Sequence, residues 1–432
     1  MKIAIAGYGI EGQENYRYWS QSPENEVTIV DEKGTGAPIP EGVSSIVGPD
    51  AFKRLQDFDL VIRTAGLAPN KIVTNGKIWS ATNEFFAKSP AQIVGVTGTK
   101  GKGTTASIVA SLFKASGRTT WLVGNIGIAA LEVLPQIKPE DIVIFELSSF
   151  QLWDIERSPQ AAIVLLIEPD HLNVHYSMED YVHAKGGITR YQNTDDLVVY
   201  HPTNADSQRI ADEGHASRKL RYAAQDGGGV YVADGAFRTS NGIICSVDAL
   251  QLRGDHNKDN ACAAITVALE YGLSNEDIKQ GLRGFEGLPH RIEFVRTFEG
   301  VGYYNDSFSS APAATVAAIR SFDAPEILIV GGVDKGADFD LLAQEIATST
   351  NLKEVILIGE IRHKLYEILS QAAPSITFTI FDGKTMPEIV QYAKNQAVSG
   401  DVVLLSPACA SFDMFKDFYD RGTQFRDQVN NL

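Results

Sequence analysis

Residues 92–117 read QIVGVTGTKGKGTTASIVASLFKASG, and this stretch decides the fold. Its opening, QIVGVT, is a short apolar run of the kind that forms a buried strand. TTASIVASLF continues as a helix, which Gly117 ends. Between them lies a glycine-rich loop. Strand, glycine loop and helix together let backbone N–H groups close around phosphate oxygens at the positive end of a helix. Gly98, Thr99, Lys100, Gly101, Lys102, Gly103, Thr104 and Thr105 are therefore candidate contacts for a nucleoside triphosphate. Lys102 would reach the β- and γ-phosphates. Thr104 or Thr105 would hold Mg2+ through its hydroxyl. Gly103 separates the lysine from both threonines and leaves that choice open.

Two further strands follow, DIVIFELSSFQL at 141–152 and AAIVLLIEPDHLNVH at 161–175. Glu146 is expected at the end of the first, and Asp170 and His171 at the end of the second. Open α/β sheets bind ligands at the carboxyl ends of their strands, so these groups are expected beside the phosphate loop. A carboxylate and an imidazole there suit metal binding, although imidazole is an unusual Mg2+ ligand. Ser177 reads as the N-cap of the next helix, with Asp180 as its capping-box partner. Lys185 falls inside that helix and is followed by Gly186 and Gly187. Each glycine costs about 1 kcal/mol in a helix interior, so the pair signals a close backbone approach near Lys185.

Upstream, residues 1–88 alternate short apolar strands with polar helices: Lys2–Ala6, EVTIVDE at 26–32 and DLVIRTAG at 59–66. That rhythm predicts a parallel sheet with crossover helices. Gly7, Gly9, Ile10 and Gly12 lie in a G-x-G-x-x-G run after the first strand, and Asp31 follows about 20 residues later. Alone, this is a dinucleotide fingerprint and suggests an NAD-linked dehydrogenase. The glycines serve any nucleotide diphosphate equally well, because the contact is backbone to pyrophosphate. AKSPAQ at 87–92 reads as a linker.

The chain has 432 residues, beyond the ~250–300 that a single core supports, so two or three domains are expected. Its net charge of −16 argues against nucleic-acid binding, which needs basic surface. Cys245, Cys262 and Cys409 form no CxxC pair, which disfavours a disulfide framework and a structural zinc site. No apolar run approaches the ~20 residues of a membrane span, and the N-terminus lacks a signal-peptide pattern. A soluble cytoplasmic protein is expected.

The third block opens near GLPHRIEFV at 287–295 and again sets polar loops after strands: EILIVGGVDKG, EVILIGE and DVVLLSPACAS. By now the motif order carries a resemblance. GTKGKGTT, GNIG (124–127), ELSSFQL (146–152), DHLNVH (170–175), GDHNKDNACAA (254–264), LPHRIE (288–293), NDS (305–307), GGVDKG (331–336) and LLSPACASFDMFKDFYDRG (404–422) together resemble the Mur ligases. These are the ATP-dependent amide-bond ligases of peptidoglycan precursor synthesis. The match spans essentially the whole chain, and its last segment looks most like the branch that adds D-glutamate.

The resemblance implies an α/β protein of three domains: a Rossmann-like UDP-sugar domain (1–88), a central P-loop ATPase-type parallel-sheet domain for ATP and Mg2+ (89–287), and a Rossmann-like amino-acid domain (288–432). It implies UDP-N-acetylmuramoyl-L-alanine and D-glutamate as substrates of a monomeric enzyme, with UDP rather than NAD at Gly7–Gly12. Lys102 becomes the phosphate lysine, and Glu146 and His171 become Mg2+ ligands. Lys185 matches a lysine carbamylated by CO2, which turns a cation into an anion suited to hold Mg2+. Asn125, Ser148 and Ser149 would face the sugar substrate. Asn257 and Asn260 would lie near the adenine, Arg291 on the nucleotide and Asp306 on the ribose. Ser310, Lys335, Ser411, Phe412 and Phe418 match the amino-acid pocket. The chain departs from the pattern at Phe308, where the family's DSK has lysine, and at Asn173, where aspartate is common. Three competing expectations remain: a sibling ligase for L-glutamate or folate polyglutamylation, the dehydrogenase, and a non-catalytic nucleotide-binding relative.

Overall fold

The computed structural model describes residues 1–34 and 38–432. It forms two compact units, residues 1–250 with 258–285, and residues 251–257 with 286–432.

The first unit holds two parallel sheets. In spatial order the five-stranded sheet runs Ser44–Val47, Glu26–Asp31, Lys2–Ala6, Leu60–Arg63, Lys77–Ser80. This is the doubly wound Rossmann order without its sixth strand. Ile3, Ala4, Ile5 and Ala6 are fully buried, as a central parallel strand covered on both faces requires. The helix Ala81–Lys88 leads to the next sheet, and the Ser80 side chain caps it by accepting the Asn83 amide.

The six-stranded sheet runs Arg218–Arg221, Leu197–Tyr200, Ala161–Val164, Gln92–Thr97, Ile142–Glu146, Thr120–Gly124. From Gln92–Thr97 the chain crosses to the sheet edge at Thr120–Gly124, fills in with Ile142–Glu146, then builds outward on the other side. The strand that carries the phosphate loop therefore stands at the switch point, where such sheets open a crevice. The helix Lys102–Ala115 packs its Ile108, Val109, Leu112 and Phe113 into the core. A small antiparallel sheet of Tyr231–Ala233, Ala236–Thr239 and Gly242–Ser246, unforeseen in the sequence, completes the unit.

The second unit has one six-stranded sheet in the order Glu293–Phe298, Val301–Asn305, Val402–Leu405, Glu326–Gly331, Leu352–Ile358, Thr377–Ile380. All its neighbours pair in parallel except the first two. Among the described residues, no helix is long and apolar enough to cross a membrane.

Two expectations are corrected here. The strand expected to reach Asp170 stops at Val164. Residues 165–168 instead run along the phosphate loop: Leu165 N donates to Thr97 O, and Thr99 N to Leu166 O. Asp180 is not a capping-box partner. Ser177 Oγ does cap the Asp180 amide, but the Asp180 carboxylate turns to His175 and to the Tyr176 amide.

Candidate active site

The loop after Gln92–Thr97 is built from its backbone. Gly98 has φ +149° and Gly101 φ +82°, conformations that side chains disfavour. A Cβ on Gly101 would also lie 2.5 Å from Asn260 Oδ1. The Thr99 hydroxyl is spent on structure: it lies 3.0 Å from the Tyr181 hydroxyl, donates to Glu168 O and accepts from Glu168 N. Lys102 starts the helix and lays its amine 3.0 Å from Thr99 O. Packing sets the two threonines apart. Thr105 is fully buried and donates to Asn260 Oδ1 at 3.2 Å, whereas Thr104 is half-exposed. Asn260, expected at an adenine, thus braces the back of the loop. Asn257 belongs to the second unit, where its side chain donates to Arg253 O.

Two ionisable groups converge on this loop. Glu146 ends its strand directly beside Val96 and is 2% exposed. Lys185, 1% exposed, donates to Gly98 O at 2.8 Å and lies 4.6 Å from the centre of the Tyr181 ring. Burial pushes its pKa well below the ordinary lysine value, and the neighbouring Lys102 adds to this; Glu146 and Asp170 act the other way. Of the glycine pair behind it, Gly187 makes the close approach that the sequence suggested, whereas a Cβ on Gly186 would meet only the end of the Arg190 side chain. A Cβ on Gly187 would come within 2.7 Å of Leu152 O, so the helix approaches that segment only with glycine there.

His171 adopts a left-handed φ of +53° and keeps its side chain about half exposed, with Nε2 3.6 Å from Asp170 Oδ2. Its ring lies 5.0 Å from that of Phe150. The buried histidine of this segment is His175, which the sequence reading passed over. Its Nε2 is 2.9 Å from Ser149 Oγ and its Nδ1 3.1 Å from Asp180 Oδ2. Phe150 stacks on it at 5.3 Å. Ser149, expected to face the sugar, is 2% exposed and committed to this network. Ser148 caps the short helix Ser149–Leu152 with Gln151 as its reciprocal partner. Asn125 lies in the turn after Thr120–Gly124, and its amide donates to Glu146 O at 3.4 Å.

At the N-terminal sheet, Gly7 has φ +93°, and a Cβ on Gly12 would meet Gly7 O at 2.0 Å. Gly9 caps the helix Ile10–Trp19 with no side chain in the way, and Ile10 is 80% exposed. Asp31 accepts from the amides of Tyr8 and Lys33, so its carboxylate shapes this loop from behind.

In the second unit, polar loops follow the adjacent strands Val301–Asn305, Val402–Leu405 and Glu326–Gly331 at one sheet edge. Val333 N donates to Ala410 O, joining two of them. Ser411 Oγ is buried and has no hydrogen-bond partner among the described residues, an orphaned polar atom that suits a polar ligand. Lys335 Nζ stands 4.9 Å from the exposed Phe412 ring, and Ser310 is exposed. Asp306, expected on a ribose, is 3% exposed. It accepts from Ser406 Oγ and Ile292 N, and burial raises its pKa to about 6. The departure at Phe308 does not leave the position without a cation: the Arg291 guanidinium lies 3.7 Å from the Phe308 ring centre, and Phe418 meets Phe308 edge-on at 5.0 Å. Arg421, unremarked in the sequence, is buried and grips Ser307 and Cys409 O, joining two of these loops.

Residues 96–268 match the Mur ligase middle domain, and residues 290–409 match the Mur ligase, glutamate ligase domain. A protein of Clostridium tetani, UDP-N-acetylmuramoylalanine--D-glutamate ligase, is 34% identical, the alignment covering 100% of this chain and 97% of that protein. A protein of Clostridium kluyveri with the same name is 35% identical over 91% of this chain and 87% of its own length. Among solved structures, UDP-N-acetylmuramate-alanine ligase MurC of Thermotoga maritima superposes with a TM-score of 0.63 at 18% identity, covering 100% and 99% of the two chains. MurF ligase of Thermotoga maritima in complex with ADP gives 0.62 at 16%, covering 99% and 95%. At such identities the likeness speaks for the fold alone, and it matches the α/β parallel-sheet architecture expected from the sequence.

Proposed function

The chain belongs to the Mur ligase family, and we propose that it joins D-glutamate to UDP-N-acetylmuramoyl-L-alanine, driven by cleavage of ATP to ADP and phosphate. One observation carries this reading: a buried lysine of depressed pKa, Lys185, reaches the first residue of a phosphate loop and shares its surroundings with Lys102 and Glu146.

The donor set fits Mg2+. The Glu146 carboxylate, the half-exposed Thr104 hydroxyl and a carbamate on Lys185 would offer hard oxygen atoms. Mg2+ typically takes one or two carboxylates plus substrate phosphates rather than a full protein cage. Among the described residues no group of three or more His, Cys, Asp and Glu side chains forms such a cage. Bound there, Mg2+ would neutralise charge on the phosphates. Carbamylation would need the Lys185 amine in its neutral form, adding to CO2 with release of a proton. His171 would add an imidazole.

The glycine loop at Gly7–Gly12 would hold the UDP pyrophosphate on backbone N–H groups. The loop from Gly98 to Thr105, with Lys102, would orient ATP for in-line transfer. The substrate carboxylate attacks the γ-phosphorus, and ADP leaves. The amine of D-glutamate then attacks the acyl carbon, phosphate leaves with the C–O bond pair, and the amine proton passes to solvent. Lys335, Ser411 and Phe412 would hold the amino acid, with Ser310 and Phe418 near it. Water must be kept out, because it would hydrolyse the acyl phosphate. The three domains would be 1–88, 89–287 and 288–432, in a monomer working in the cytoplasm, where ATP and the UDP-sugar are available.

The test is ADP release with all three substrates present, repeated with L-glutamate and with folate substrates. ADP formation dependent on D-glutamate supports the reading. Release independent of D-glutamate, or a preference for another acceptor, overturns it.

A further inference from the structure

Arg63 ends the strand Leu60–Arg63 and is completely buried. Its guanidinium is fully committed. Nε donates to Asp154 Oδ2 at 2.6 Å and Nη2 to Asp154 Oδ1 and to Phe150 O, the latter at 2.8 Å. Nη1 takes the carbonyls of Thr64, Ala65 and Leu67. With its N–H groups spent, Arg63 is not a ligand-binding arginine. It joins two loops. On one side the Thr64–Leu67 turn forms the back wall of the glycine loop: Ala65 N donates to Glu11 Oε2 at 2.8 Å, and the Thr64 hydroxyl lies where a Gly7 side chain would be. On the other side is the segment 148–154, whose Phe150 ring stacks on His175 and lies against His171.

A buried ion pair is weak evidence for stability, since well-packed apolar side chains would serve as well. What a planar, multiply bonded guanidinium provides is direction. We propose that the Arg63–Asp154 pair is a positioning strut that fixes the segment 148–154 to the glycine loop, so that binding the UDP end of the substrate sets where its reacting end lies. This rests on the substrate reading above. The energy of binding a remote group is thereby used to orient the reacting centre, where a misplacement of 1 Å can cost about 100-fold in rate.

The experiment is amide hydrogen exchange with and without UDP as probe, on the wild type, on Asp154→Asn and on Arg63→Lys, paired with steady-state kinetics. In the wild type, UDP slows exchange both in residues 7–12 and in residues 148–155. In either variant, protection of 7–12 and the affinity for UDP persist, protection of 148–155 is lost, and kcat falls by about tenfold or more. A purely structural role would instead lower thermal stability and leave the transmitted protection intact, which overturns the proposal. So does a wild type in which UDP protects 7–12 alone. UDP that leaves residues 7–12 unprotected overturns the substrate reading itself. Arg63→Lys retains the buried cation and serves where Asp154→Asn fails to fold.

Discussion

The Lys185 amine donates a 2.8 Å hydrogen bond to the carbonyl oxygen of Gly98, the residue with which the phosphate loop begins. The helix carrying Lys185 delivers a nitrogen into the crevice at the sheet's switch point. Burial and the nearby Lys102 favour its neutral form, and only a neutral amine attacks CO2. Lys185→Arg keeps a basic side chain of similar reach but forms no carbamate, so ADP release should fall roughly 100-fold or more. CO2-depleted buffer should slow the wild type, and added bicarbonate should restore it, with no such response in the variant.

Thr104 and Thr105 should separate in kinetics and stability. Thr104→Ala removes the half-exposed hydroxyl, so the Mg2+ concentration for half-maximal ADP release should rise with little change in melting temperature. Thr105→Val removes the buried hydrogen bond to Asn260, at a cost of about 0.5–1.5 kcal/mol in denaturant unfolding.

His175 ties Ser149 to Asp180. Its amide also closes the turn that begins at His171, donating to His171 O at 3.0 Å. His175→Ala keeps that backbone bond but leaves Ser149 buried without this partner and removes the imidazole that anchors the far end of the turn to Ser149 and Asp180. Unfolding free energy should drop by about 1–3 kcal/mol, and exchange in residues 171–175 should speed up.

Glu326 supplies a pH dependence remote from the site. Its side chain is fully buried, both carboxylate oxygens are without hydrogen-bond partners among the described residues, and burial raises its pKa to about 8. The unfolded chain releases this proton near pH 4.5 and the folded protein only near pH 8. Between those values the folded state binds more protons, so stability falls as pH rises, then levels off. The slope is at most ~1.4 kcal/mol per pH unit. Glu326→Gln should abolish this contribution in urea melts from pH 5 to 8, and so gain on the wild type toward pH 8.

By itself the sequence determined what depends on neighbours along the chain. The strand, glycine loop and helix of residues 92–117 follow from apolar runs, glycine spacing and the stop at Gly117. The strand Lys2–Ala6 with its glycines follows likewise, and so does the Gly186–Gly187 signal of close approach. Tertiary structure decided which side chains meet. Thr105 pairs with Asn260, 155 residues away, and Arg63 with Asp154, 91 residues away. Asp180 looked like a cap because its spacing from Ser177 permits one, yet a buried imidazole is the partner it takes. The strand expected to end at His171 stops at Val164 because its continuation bonds instead to Thr97 and Thr99. Backbone periodicity is written locally. The partner of a buried polar group is set by whatever the folded sheet brings within hydrogen-bond reach, and spacing along the chain carries no record of it.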